Sequence, residues 1–225
     1  MLKPITSPEA LAERVEELGF LPLFRCCVPG LSVEEMTPRE LWFAPDTDGP
    51  WEWKGPVLRT GRCAYGKLFR GKCGFVSLDW LPDLANARRG GYDFDARAED
   101  GLVSWHAQRI YAALEDAGGS LLSRDLKEAC GYGREGLRGF DQTVTQLQMQ
   151  TYLCVQDFEY ALDKHGKPYG WGLSRLTTLE RLYGAQTVTA AYRRGPTDSL
   201  ARCAGKLKSV LPDAEEKLIL RLLRG

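Results

Sequence analysis

Residues 139–176 read GFDQTVTQLQMQTYLCVQDFEYALDKHGKPYGWGLSRL. Phe140, Val144 and Leu147 recur at i, i+4 and i+7, which predicts a helix from about Gly139 to Gln150 with one apolar face. Tyr152 to Glu159 then alternates as a strand, and Asp163-Lys164-His165-Gly166 carries turn chemistry. Tyr169 to Leu176 returns as a second strand, so this stretch predicts a helix followed by a hairpin.

Two further helices are predicted upstream. Ser104 opens one with Ile110, Leu114 and Ala117 inward, closed by Gly118-Gly119. Ser123 opens a short one through Leu126 and Cys130, stopped by Gly131. Gly131-Tyr132-Gly133-Arg134-Glu135-Gly136 spells a dinucleotide-loop pattern but follows a helix, not a strand, and reads as the turn of a helix-turn-helix. Helix, helix, helix, hairpin is the order of a winged helix, and the hairpin is its wing.

The front of the chain is mixed. Ser7, Pro8 and Glu9 start a helix with Leu11, Val15 and Leu18 on one face, and Gly19 ends it. Phe20 to Val28 is a short apolar run. Ser32 with Glu35, and Thr37 with Glu40, fit capping boxes. Asp46 to Pro50 reads as a loop leading to Trp51-Glu52-Trp53, where the tryptophans either anchor the loop or form an aromatic platform. Tyr65 to Val76 reads as a hairpin or a helix end followed by a strand, and Ser77 as the cap of a helix through Leu78, Leu81 and Leu84. The Gly- and Asp-rich residues 90–103 read as a boundary. Further helices are expected at 179–183, 187–193, 197–210 and 214–223, with Asp213 and Glu216 boxing the last start.

The expected architecture is therefore α+β and mainly helical. It has an N-terminal mixed α/β domain at 1–95 with a Trp-containing loop, a winged helix at 103–184, and C-terminal helices at 185–225. Of the 225 residues, 44% are hydrophobic and 27% charged, which excludes a disordered chain. No apolar run reaches the roughly 20 residues of a membrane helix. The start has no apolar leader segment, so a cytoplasmic protein is expected. Thirty basic residues balance thirty acidic ones, so bulk charge argues for neither nucleic acid nor membrane. The seven cysteines include no Cys-x-x-Cys, and the two histidines lack partners at ligand spacing. Reduced thiols, no metal and no cofactor are expected.

The block Gly139-Phe140-Asp141 through Leu147-Gln148, with Tyr169-Gly170-Trp171-Gly172, resembles the winged helix of AlkZ-related bacterial proteins. Pro50-Trp51-Glu52-Trp53-Lys54, Tyr65-Gly66-Lys67-Leu68 and Phe75-Val76-Ser77 resemble the same family. The likeness spans about residues 8–184. It implies a distant similarity to the DNA glycosylases that repair interstrand crosslinks, whose catalytic motif is Gln-x-Gln or Gln-x-Asp. Gln148-Met149-Gln150 spells that motif here, but its amides lie about 200° apart around a helix. It also falls in the recognition-type helix, not early in the chain, and is read as coincidental. Gln148 is expected at the flank of the helix.

Three functions follow. In a DNA-binding protein, Gln142, Thr145, Gln146 and Met149 would face the major groove. Arg134 and Arg138 would then meet phosphates, with Lys164, His165 and Lys167 at the wing tip. Arg62, Lys67 and Arg70, interleaved with Tyr65 and Phe69, could track a backbone. In a glycosylase, Glu52 between Trp51 and Trp53 is the catalytic candidate, and the alternative for it is an ion pair with Lys54. Residues 104–184 hold 9 basic and 10 acidic residues, so a non-catalytic protein-interaction module is the third reading.

Overall fold

Ser7 accepts a hydrogen bond from the Ala10 N–H at 3.2 Å and Pro8 occupies the first turn, so helix α1 spans Pro8–Leu18 and stops at Gly19. The computed structural model describes residues 3–42, 47–133, 135–166 and 168–225. Strand β1 is Phe20–Pro22. Of the Ser32–Glu35 box the serine half forms: Ser32 Oγ accepts from the Glu35 N–H at 3.2 Å and starts α2, Val33–Met36, while the Glu35 carboxylate accepts from the Ser32 hydroxyl and the Gly30 N–H. The Thr37–Glu40 box does not form: Pro38 leads a single 3-10 turn at Arg39–Leu41, and the buried Thr37 hydroxyl has no hydrogen-bond partner among the described residues.

The Trp-containing segment is a helix rather than a loop. In α3, Pro50–Arg59, Pro50 takes the first position, and Glu52 reaches back to accept from the Gly49 N–H at 3.0 Å. Strands β2, Cys63–Phe69, and β3, Lys72–Ser77, form a hairpin in which Phe69 pairs with Lys72 across Arg70-Gly71. Both turn residues are left-handed, at φ 54° and 75°, the type I′ arrangement that suits strand twist. The first sheet is antiparallel, in the order β1-β3-β2.

Ser77 ends β3 instead of capping a helix, and its N–H donates to Gly19 O at 2.9 Å. Helix α4 begins later, at Leu81–Arg89, with Pro82 in its first turn and left-handed Gly90 at its end. The Gly- and Asp-rich stretch contains a helix, α5, Phe94–Glu99, because Asp93 accepts from the Ala96 N–H at 2.8 Å. Phe94 stacks on Tyr111 at 3.7 Å and meets Tyr152 edge-on at 5.3 Å.

Next come α6 (Trp105–Asp116), β4 (Ser120–Leu122), α7 (Ser123–Ala129), α8 (Phe140–Met149), β5 (Leu153–Leu162) and β6 (Pro168–Thr178). Ile110 and Leu114 are buried as expected, whereas Ala117 is exposed beyond the end of α6. The second sheet is antiparallel, in the order β4-β6-β5. The β5–β6 turn falls at Asp163–Gly166: Gly166 N–H donates to Asp163 O at 3.0 Å and His165 N–H to Asp163 Oδ1 at 2.8 Å.

The tail holds α9 (Leu179–Tyr183), α10 (Ala185–Val188), α11 (Pro196–Val210) and α12 (Glu216–Arg224). The Asp213–Glu216 box is absent: Glu215 precedes α12 and makes no side-chain cap. Asn86 on α4 fixes the tail by donating to Ala191 O, Arg194 O and Ser199 Oγ at 3.0, 2.9 and 2.9 Å. The hydrophobic core runs across both sheets. Tyr65 on β2 lies 4.7 Å from the Phe75 ring and 5.8 Å from Phe158 on β5. The seven cysteines are free thiols, and burial pushes Cys63 and Cys203 up to about 12.

Candidate functional site

Helix α8 carries the candidates Gln142, Thr145, Gln146 and Met149. Its apolar stripe, Phe140, Val144 and Leu147, is buried, while Gln142 and Gln146 are exposed. Thr145 and Met149, predicted on the same outward face, are half-buried against the first sheet and the C-terminus. Lys67 Nζ on β2 donates to Thr145 Oγ1 at 3.1 Å. Arg88 on α4 donates through Nη1 to Met149 O and through Nε to Leu223 O, both at 2.9 Å, so it fastens the end of α8 to the end of α12. That burial pulls the Arg88 guanidinium down to about 10.

Arg138 is exposed just before α8, and Lys164 and His165 are exposed at the β5–β6 turn. Arg134 and Lys167 lie outside the described residues. The open part of α8 is therefore the face that carries Asp141, Gln142 and Gln146.

Gln148 is not at the flank. It is buried, and its Oε1 accepts from the Lys67 backbone N–H at 2.7 Å. Gly66 permits this, since a Cβ there would fall 2.7 Å from the same oxygen. Half of the Gln-x-Gln spelling thus joins β2 to α8, and Gln150 is the helix C-cap.

The residues around Glu52 are engaged in the helix that carries them. Glu52 holds the start of α3, and the ion pair with Lys54 is replaced by another arrangement. The Lys54 ammonium sits 3.2 Å from the centre of the Trp51 ring and 4.6 Å from that of Phe158. Trp53 is buried, and its indole N–H donates to Asp48 O at 3.1 Å. Trp51 is half-buried, its ring 6.4 Å from that of Phe24.

Lys54 itself is 3% exposed, and burial draws its ammonium from 10.5 down to about 8, opposed by nearby Cys73 and Glu52. Between those values the unfolded chain holds a proton that the folded chain has released, so this group makes the fold more stable as pH rises. Lys54→Met is expected to be more stable than wild type at pH 7 by on the order of 1 kcal/mol, after loss of the cation–π contact. The gap should shrink by pH 9. Urea midpoints at the two pH values measure it, and the buried thiols, common to both proteins, cancel in the difference. A gap independent of pH would show that the ammonium is not desolvated.

The basic stretch 59–72 divides. Arg59 pairs with Asp157 at 3.0 Å, Arg62 pairs with Glu16, and Lys72 Nζ donates to Arg25 O at 3.0 Å. Lys67 is committed to α8. Arg70 alone of the candidates in this stretch projects from the hairpin turn with no ion-pair partner among the described residues. It lines a cleft with Lys217, Arg221 and Arg224 of α12, which the sequence reading passed over. Their spacing of four and three residues places them on one helical face, a signal present in the sequence. Among the described residues no group of three or more His, Cys, Asp or Glu could hold a metal, and no helix is long and apolar enough to cross a membrane.

The family described as AlkZ related matches residues 5–224. No curated protein and no solved structure matches the chain.

Proposed function

The chain belongs to the AlkZ-related family, and from that membership and the geometry of α8 we propose that it is a DNA-repair-linked protein that docks on duplex DNA. The observation that carries this reading is α8 itself: its exposed Gln142 and Gln146 lie on the helix that follows a helix–strand–helix and precedes a hairpin. We read residues 103–184 as a winged helix. The sheet order β4-β6-β5, with one strand between the first two helices, supports that reading. Residues 1–95 then form the mixed domain and 185–225 the closing helices.

In this reading Gln142 and Gln146 offer paired amides to adenine edges, and Arg138 meets a phosphate at the helix start. Lys164 and His165, with Lys167, are the wing-tip contacts. Neutral overall charge is consistent with docking because the local surface, not the total, sets the phosphate contacts. The reading assigns no catalytic residue, since Glu52 caps α3 and Gln148 joins β2 to α8.

Titrating duplex DNA over a salt series tests it. Affinity should fall steeply with salt, and Arg138→Ala should weaken binding several-fold on every sequence and flatten the slope by about one unit. Unchanged binding in Arg134→Ala plus Arg138→Ala would exclude α8 as the docking element. No salt-sensitive binding by wild type would turn the same surface into a protein-interaction face.

A further inference from the structure

A cleft of about 560 Å³ opens between the β2–β3 turn and α12, lined by Arg70, Lys217, Arg221 and Arg224, with Leu220, Gly225 and the carboxylate of Glu216. All four cations are exposed, and among the described residues none has an ion-pair partner. That sets them apart from much of the arginine surface. Arg25, Arg59, Arg62, Arg124, Arg175, Arg194 and Arg202 are each paired with a carboxylate. In a chain of zero net charge, four unpaired cations around one cleft concentrate positive potential there.

The turn supplies an independent observation. Arg70 occupies the first central position of a type I′ turn at φ 54°. That position favours Gly, which has no Cβ to clash, and Asn or Asp, whose short polar side chains hydrogen-bond the local backbone and offset the clash; arginine does neither. An arginine where asparagine would be more stable is local strain of the kind that accumulates at binding sites.

Both walls of the cleft abut α8. Gly71, next to Arg70, lies against Thr145, and Gly225, next to Arg224, lies against Met149. Thr145 and Met149 are one helical turn apart on the same face. The cleft therefore flanks the helix whose exposed residues are Asp141, Gln142 and Gln146.

We propose that this cleft is a second phosphodiester-binding site, in which Arg70, Lys217, Arg221 and Arg224 hold the DNA backbone beside α8. The proposal rests on the reading of α8 as a DNA-docking helix, and it adds contacts from both the first hairpin and the last helix. Arginine suits the task because its planar fork can donate two hydrogen bonds to one phosphate.

The experiment compares four proteins: wild type, Arg138→Ala, Arg221→Ala plus Arg224→Ala, and Arg70→Asn. Each is titrated with the same duplex over a salt series and melted in parallel. The double variant should lose at least tenfold in affinity near 0.1 M salt and about two units of slope, with its melting temperature unchanged. Arg70→Asn should melt higher than wild type yet bind more weakly, an opposition that a purely structural arginine would not produce. If wild type binds, Arg138→Ala weakens it, and both cleft variants bind as wild type, the cleft assignment is wrong and the α8 reading stands. If the cleft variants weaken binding and Arg138→Ala does not, the cleft stands and α8 is not the docking element. Absence of salt-sensitive DNA binding by wild type overturns both. Poly-glutamate bound as tightly as DNA, and lost in the same variants, would replace the phosphodiester by an acidic peptide.

Discussion

Arg89→Met is expected to remove about 3–5 kcal/mol of folding free energy, because it strips the cation from a buried polar network. Arg89 is fully buried at the end of α4. Its guanidinium pairs with Glu180 at the start of α9 and donates to the Thr151 carbonyl. It also reaches Thr151 Oγ1 and the Tyr192 hydroxyl, each at 3.3 Å, and lies 4.4 Å from the centre of the Tyr152 ring. One side chain thus gathers α4, the link between α8 and β5, and the tail. Methionine fills similar volume, so the loss would come from an uncompensated Glu180 carboxylate and an unpaired Thr151 carbonyl. Adding Glu180→Leu to Arg89→Met should recover part of the loss, since two apolar groups leave no charge behind. Urea unfolding measures both, and the midpoint should move without a change in slope. A loss below about 1 kcal/mol in Arg89→Met would mean that water reaches the network and satisfies it.

Arg89 also shows where sequence reading stops. In the sequence it is one half of Arg88-Arg89, just before the Gly90 that ends α4. The partners of both arginines lie far along the chain, and no local pattern announces them. What is legible is local. The apolar stripe of α8, the Asp163–Gly166 turn and the Ser7 cap each follow from residues within a few positions of one another. The misreadings are equally physical. Helix α3 starts from Gly49, which has no side chain to accept a hydrogen bond, so the usual Ser, Thr, Asp or Asn signal is missing, and the Glu52 half of the box acts alone. Helix α5 is short, and the aspartate that suggested a linker is its cap. Strand β4 has three residues, too few for any alternation to show.

The site divides along the same line. Gln142 and Gln146 are exposed because the phase of α8 is fixed by its own stripe, so the sequence sufficed. The cations at 59–72 could not be sorted from sequence. Arg62 is neutralised by Glu16, which is 46 positions earlier, and Arg59 by Asp157, 98 positions later. Arg70 acquires its significance only when α12 arrives opposite it. Position 148 is the sharpest instance, because helical phase alone left it at the edge, whereas β2 comes from 81 residues upstream to cover it.

That covering can be tested at Gly66, where alanine is expected to cost about 2–4 kcal/mol. Gly66 has ordinary extended backbone within β2 and pairs with Gly74 across the hairpin, so alanine suits its conformation. The cost arises from Gln148. A Cβ at 66 would stand 2.7 Å from Oε1 and 3.5 Å from Cδ, so the amide must swing away. Gln148 is buried, so no water replaces it on the Lys67 N–H, and its own carbonyl is left unpaired as well. Gln148→Ala should cost a similar amount, by leaving the same N–H unsatisfied and opening a cavity. The two changes act through one contact, so they should not add. In the Gln148→Ala background the Cβ at 66 has space to occupy, and Gly66→Ala should then cost less than half of its value in wild type. A double-mutant cycle by urea unfolding reads the coupling directly. Additive losses would mean that Gly66 is needed for some other reason and that the Gln148 amide is not what seats α8 on the first sheet. Because the same junction aligns Thr145 and Met149 with the cleft, Gly66→Ala should also weaken duplex binding under conditions where the variant remains folded.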